Sequence, residues 1–244
     1  MEQRGIYLYC IADAVDISSF GKGGIENEEG EIFTVIYKDI CAVVSDAVIK
    51  QYRPTRKNNI IHEGVIEKVM VKHNVLPFRF GIVANSIEGT RKMLEEKYSH
   101  FKQLLGKVNN KFEMGIKVTF SDLKDVLCSV SDLNPVLAQL RREKRVVTGN
   151  QNMIVEVGKM IESELKIISL KYKDAIFEEI SAFADESIAN ENISNEMVLN
   201  ASFLIEKDKE EAFDKLINDL DAAYGNKLNF KCAGPFPPYN FVKI

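Results

Sequence analysis

Strand-forming runs, apolar or alternating with polar residues, mark much of the first third of the chain. Gly5–Asp13 and Glu31–Asp46 are dense in β-branched and aromatic residues, and Asp39 divides the second stretch into two expected strands, Ile32–Lys38 and Ile40–Ser45. Gly21, Gly23 and Gly24, followed by Asn27 and Gly30, predict a mobile connection between the first strand and the second. Tyr52–Lys57 is polar and breaks at Pro54. Asn58 or Asn59 is then expected to cap a helix reaching about His73, with Ile61, Val65, Val69 and Met70 at helical spacing. Val75–Ala84 returns to alternation, with Leu76, Phe78, Phe80 and Ile82 on one face and Pro77, Arg79 and Gly81 on the other. Proline has no N–H to give a ladder, so Pro77 predicts an edge strand or a position near the strand's start. After Asn85 or Ser86, a helix to about Lys107 follows from the stripe Leu94, Tyr98, Phe101, Leu105 and Val108.

The second half changes rhythm. Met114, Ile116, Val118 and Phe120 alternate with Gly115, Lys117 and Thr119, as a half-buried strand does. Ser121–Val147 carries weak helical signals, a break at Asn134-Pro135 and the charged run Arg141–Arg145. Ile154, Val157, Ile161, Leu165, Ile168, Tyr172 and Ala175 then predict a long helix ending near Ile180. A short strand is expected at Phe183–Ile188 and a full one over Met197–Ile205. Asp208 with Glu211 resembles a capping box opening a helix on Phe213, Leu216, Ile217, Leu220 and Tyr224. Gly225 stops it, and Leu228, Phe230 and Cys232 make the last strand. From Met114 the order is β, insertion, α, β, β, α, β, which is ferredoxin-like once the insertion is set aside. The fold class is therefore α+β in two domains. Residues 1–110 form an α+β domain with a mixed or antiparallel sheet. Residues 111–244 form a ferredoxin-like domain with a helical, variable insertion at about 121–150.

Composition narrows the function classes. The 244 residues are 45% hydrophobic and 28% charged, which suits a folded globular chain. Net charge is −4, so neither a nucleic acid nor a membrane surface is an expected partner. No run of about 18 apolar residues occurs, and neither a signal peptide nor a transmembrane helix is expected. Cys10, Cys41, Cys128 and Cys232 are widely spaced, as reduced cytoplasmic thiols would be.

Catalytic constellations are equally thin. His62 and His73 share a helical face but stand roughly 16 Å apart at 1.5 Å per residue, too far for one metal ion. His62-Glu63 lies in HEGVI rather than HExxH, so His62 reads as structural or solvated, and His62→Ala is expected to alter stability modestly. The GKGG run at Gly21–Gly24 leads into an acidic stretch, not the helix a P-loop needs. No enzyme activity, metal or organic cofactor is expected.

Two segments carry binding candidates. Arg79 stands with Pro77 and Phe80 in the expected edge strand, where an exposed backbone edge can pair with an incoming chain. The ending GPFPPYNFVKI has three prolines that favour an extended course, and Phe236, Tyr239 and Phe241 are costly to leave in water. That segment is expected to pack across its own domain or to present aromatic anchors. Tyr7, Tyr9 and Tyr37 have the opposite parity to Leu8 and Ile36, so a sheet face bearing aromatics could be left open for an apolar partner.

At these same residues the chain resembles the gas vesicle protein F/L family. The matching segments are GIYLYCIA, ICAVVSDAV, NNIIHEGVIEKVMVKHNVLPFRFGIVA, MVLNASFLIEKDKEEAFDKL and GPFPPYNFV. Phe236 stands where the family usually carries Trp, and a Gly-rich motif ahead of the long helix is reduced to Thr148-Gly149. The resemblance implies a cytoplasmic accessory protein of gas vesicle assembly. Its expected partners are the small hydrophobic shell protein and other accessory gas vesicle proteins. A minor structural component of the vesicle wall is the alternative, and an enzyme on a ferredoxin-like scaffold ranks below both.

Overall fold

The computed structural model describes residues 3–13, 19–123, 126–127, 135–142 and 151–244. Five elements open the chain: β1 (Arg4–Ala12), β2 (Ser19–Gly24), β3 (Asn27–Tyr37), β4 (Ile40–Val48) and α1 (Arg56–Met70). Two short strands follow, β5 (Val75–Pro77) and β6 (Val83–Ala84), then α2 (Ile87–Glu96) and α3 (Tyr98–Lys107). The remaining elements are β7 (Lys111–Phe120), α4 (Pro135–Arg142), α5 (Gln151–Ser181), β8 (Glu186–Ala189), β9 (Met197–Glu206), α6 (Glu210–Tyr224) and β10 (Leu228–Phe236). Of the expected insertion, α4 is seen. Cys128, Asn134, residues 143–145 and Thr148-Gly149 lie outside the described residues.

The first sheet runs β2-β3-β4-β1-β5, with β6 also on β1, and its registered pairs are antiparallel. The Gly-rich stretch expected as a mobile connection is β2, hairpinned to β3. Its ladder shifts register between Ser19 and Gly21 and between Lys22 and Gly24. Gly21 and Gly23 have φ of +91° and +122°, values that side chains disfavour, so the glycines permit the bulges rather than melting the strand. Lys38, expected as the end of the strand, adopts φ +53° and joins Asp39 in a two-residue turn between β3 and β4.

Both faces of this sheet are covered. Tyr7, Tyr9, Cys10, Cys41 and Val43 pack under Val65, Ile66 and Val69 of α1. On the other face Ile6, Leu8, Ile11, Ala42 and Val44 meet Leu94 of α2 and Phe101 and Leu105 of α3. A register shift between Leu8 and Cys10 lets consecutive Tyr9 and Cys10 serve the same side. The open aromatic face expected from parity is therefore absent: Tyr7 and Tyr9 are fully buried by α1, and Tyr37 leans half-buried on the α2–α3 side.

Helix boundaries also moved. Thr55, not Asn58 or Asn59, caps α1, its hydroxyl accepting from the Asn58 amide. Ser86 caps α2 as expected, but the stripe to Lys107 is broken at Lys97 (φ −102°, ψ 12°) into two helices. At α6 the expected capping box does not form. Asp208 sits in a 3₁₀ turn, and no side-chain hydrogen bond caps the helix at Lys209.

The second sheet runs β10-β7-β9-β8. Phe203 of β9 contacts both Phe177 of α5 and Phe213 of α6, with centroids 5.8 and 6.2 Å away, so the two helices cover one face. Tyr172 of α5 repeats the arrangement with Phe120 and Tyr224. Two compact units result. One comprises Met1–Glu113, Leu204–Lys207 and Gly234–Ile244; the other comprises Met114–Phe203 and Asp208–Ala233. The chain's end thus groups with the first unit, where packing across residues 111–244 was expected.

Candidate functional site

The segment expected as one clean strand is two short ones joined by an outward bulge. Pro77 registers with Cys10, and Val83 with Tyr7. Five residues, Phe78 to Ile82, therefore stand opposite two, Leu8 and Tyr9. Amides close the bulge at each end: Phe78 N donates to Tyr9 O (2.9 Å), and Leu8 N donates to Ile82 O (3.0 Å). Gly81 completes the reversal at φ +89°; a Cβ there would meet nothing, so backbone angle rather than space calls for glycine. The strand lies at the end of the sheet, in keeping with Pro77.

What fixes the bulge is a buried histidine. His62 of α1 is 2% exposed. Its Nε2 is 3.1 Å from the Phe78 carbonyl and its Nδ1 is 3.1 Å from the Tyr7 hydroxyl. A carbonyl only accepts, so Nε2 carries the proton and Nδ1 accepts from Tyr7. The Tyr7 oxygen in turn accepts from Gly81 N at 2.9 Å. Both sides of the bulge are thereby tied to one ring. Burial depresses the His62 pKa, opposed in part by the Phe78 bond, and burial raises that of Tyr7. Tyr9 stacks on His62 with centroids 5.7 Å apart, and Phe80 stands edge-on to His62 at the same distance. Tyr9 extends the network through Ser45 Oγ (3.0 Å) and Ile25 N (3.0 Å). A neutral, enclosed imidazole with both nitrogens engaged is built to hold a loop, not to move protons for a substrate. His62 is therefore structural, not solvated.

The six candidate residues separate by exposure. Arg79 projects from the bulge into solvent, and Phe236 is 39% exposed at the end of β10. Phe80 and Tyr239 are half-buried, packed onto the same core beneath α1. Pro77 and Phe241 are buried. The terminal segment is held by polar contacts that the sequence reading missed. Glu113, 5% exposed, accepts from Asn240 N (2.9 Å) and Asn240 Nδ2 (2.5 Å), while Lys107 Nζ donates to Phe241 O (3.0 Å). Among the described residues, no three His, Cys, Asp or Glu side chains are placed to hold a metal ion.

Known proteins are similar to this chain along almost its whole length. Residues 5–243 match the family model described as gas vesicle synthesis protein GvpL/GvpF. The crystal structure of gas vesicle protein GvpF from Anabaena sp. superposes with a TM-score of 0.83 at 26% identity, covering 98% of each chain. GvpF from Microcystis aeruginosa gives a TM-score of 0.79 at 26% identity, covering 98% of this chain and 99% of the other. Gas vesicle protein F of a Streptomyces sp. is 28% identical over 239 residues, 97% of this chain and 99% of that protein.

Proposed function

The chain belongs to the gas vesicle synthesis protein GvpL/GvpF family, and from that membership we propose a non-enzymatic accessory protein that binds the hydrophobic shell protein and limits its aggregation or aids its incorporation. It works in the cytoplasm, associated with gas vesicles and alongside other accessory gas vesicle proteins. The observation that carries the reading is the family match over residues 5–243. No helix among the described residues is long and apolar enough to cross a membrane. The order β10-β7-β9-β8, with α5 and α6 on one face, supports a ferredoxin-like second domain.

Within this reading the contact surface is the edge bulge. Arg79 offers a long apolar stem and a charged fork, and Ile82 beside it is 41% exposed. The free side of an edge strand can extend its ladder into a partner, and His62 holds the loop in one shape before binding, which lowers the entropy lost on docking. Phe236 contributes as an exposed aromatic. Phe80 and Tyr239 support the surface from beneath.

Mixing the purified chain with shell protein and following turbidity and co-purification tests this. The chain should keep the shell protein in solution, and Arg79→Glu should weaken capture by about tenfold while the circular dichroism spectrum is unchanged. No effect of the native chain on shell-protein aggregation would remove the accessory reading. Equal capture by the variant would remove only the bulge. Quantifying the protein in purified vesicles separates this role from a wall component, which would be abundant there.

A further inference from the structure

We propose a second docking surface, on α5 of the second compact unit, that takes an amphipathic helix with carboxylates along one flank. A trough of about 660 Å³ runs beside α5 from Gly158 to Lys173, walled opposite by residues 192–195 and Met197. The fifteen helical rises from Gly158 to Lys173 make it roughly 22 Å long. Ile161, Leu165 and Met197 form the floor, with Leu170 and Ile193 on the walls. Ile193 is 77% exposed, the highest value among the large hydrophobic residues described.

That exposure is built in. The loop carrying Ile193 is pinned on both sides: Asn192 Nδ2 donates to Met197 O (2.7 Å), Asn200 Nδ2 to Glu191 O (2.9 Å) and Met197 N to Ser194 O (3.1 Å). Holding a large aliphatic side chain in water on an ordered loop is costly unless something covers it. At Gly158 an added Cβ would meet nothing within 4 Å, which leaves room for another backbone to approach.

Charge selects the occupant. Lys166 and Lys173 line the same trough seven residues apart, and neither pairs with a carboxylate among the described residues. Among the described lining residues Glu162 alone is acidic. Two turns of helix separate the lysines by about 10.5 Å, the spacing of side chains at i and i+7 on a facing helix. A partner helix with apolar residues at i, i+3, i+4 and i+7, and glutamates on one flank, meets both the floor and the ammonium groups. A second copy of this chain docking isologously would set lysine flank against lysine flank, which disfavours it.

The test uses the full chain and two designed fluorescein-labelled helical peptides, identical in their leucine stripe, one with a glutamate flank and one with a lysine flank. Anisotropy titrations should show the glutamate peptide binding about tenfold more tightly, with the gap shrinking as salt rises. Lys166→Glu with Lys173→Glu should invert the preference, and Ile193→Asp should weaken both peptides. Arg79→Glu should change neither, which keeps this surface distinct from the bulge. Ile193, Lys166 and Lys173 are surface residues or nearly so, and circular dichroism verifies that each variant folds. Equal affinities for the two peptides, no binding of either, or binding untouched by Ile193→Asp would overturn the proposal. So would a dimer in sedimentation that Ile193→Asp dissolves, since the face would then belong to a second copy.

Discussion

His62→Ala is expected to lower unfolding free energy by about 3 kcal/mol, the largest single effect we anticipate from a polar position in the first unit. The modest effect expected from sequence assumed a ring with little to lose. Instead the substitution leaves the Phe78 carbonyl and the Tyr7 hydroxyl without their partner, and opens a cavity beneath Tyr9 and Phe80. Urea denaturation followed by circular dichroism measures it. His62→Gln, which retains an amide able to donate, should recover part of the loss. The ring also makes stability depend on pH. In the unfolded chain His62 protonates near its ordinary pKa of about 6.5, whereas burial lowers that value in the fold. Between the two values the unfolded state holds more protons, so this contribution is complete above about pH 6.5 and declines as pH falls below it. The native chain should therefore lose stability between about pH 6.5 and 5 more steeply than His62→Gln does. Parallel slopes for the two proteins would show that the ring is not held neutral.

The same ring marks where sequence reading stops. Density of β-branched and aromatic residues made β1, β3 and β4 legible, and alternation along the pleat made β7 and β9 so. β2 was hidden because its residues, SFGKGG, have no strand preference; the β3 ladder and two left-handed glycines make the strand. The bulge in 75–84 was hidden for a related reason. Leu76, Phe78 and Phe80 alternate in sequence, but Leu76 and Phe78 join the α2–α3 core while Phe80 joins the α1 core. The switch is set by hydrogen bonds to Tyr7 and His62, remote in sequence and invisible to any local window. The break at Lys97 lacks a proline or glycine to announce it. At the site, Pro77 did reveal an edge strand and hence an accessible Arg79. Which candidates were buried could not be read, because Phe241 and Phe236 are chemically alike and differ only in what the tail packs against.

The tail supplies the second large effect: Asn240→Asp should destabilise the first unit by about 2 kcal/mol at neutral pH, and more than Asn240→Ala does. Glu113 is a buried carboxylate whose oxygens accept from the Asn240 amide N–H and from its side-chain Nδ2. Alanine removes one donor and keeps the backbone bond. Aspartate instead points a second carboxylate at the first, and the buried partner cannot turn to water for relief. Two like charges at hydrogen-bonding distance repel, so the expected loss exceeds that of removing one donor. Limited proteolysis should track it, with the terminal segment from Gly234 cut fastest in the aspartate variant at neutral pH. Were the two variants equally stable at every pH, Glu113 would not be the anchor of the tail. The seating of Tyr239 and Phe241 would then rest on apolar contacts and the Lys107 bond alone.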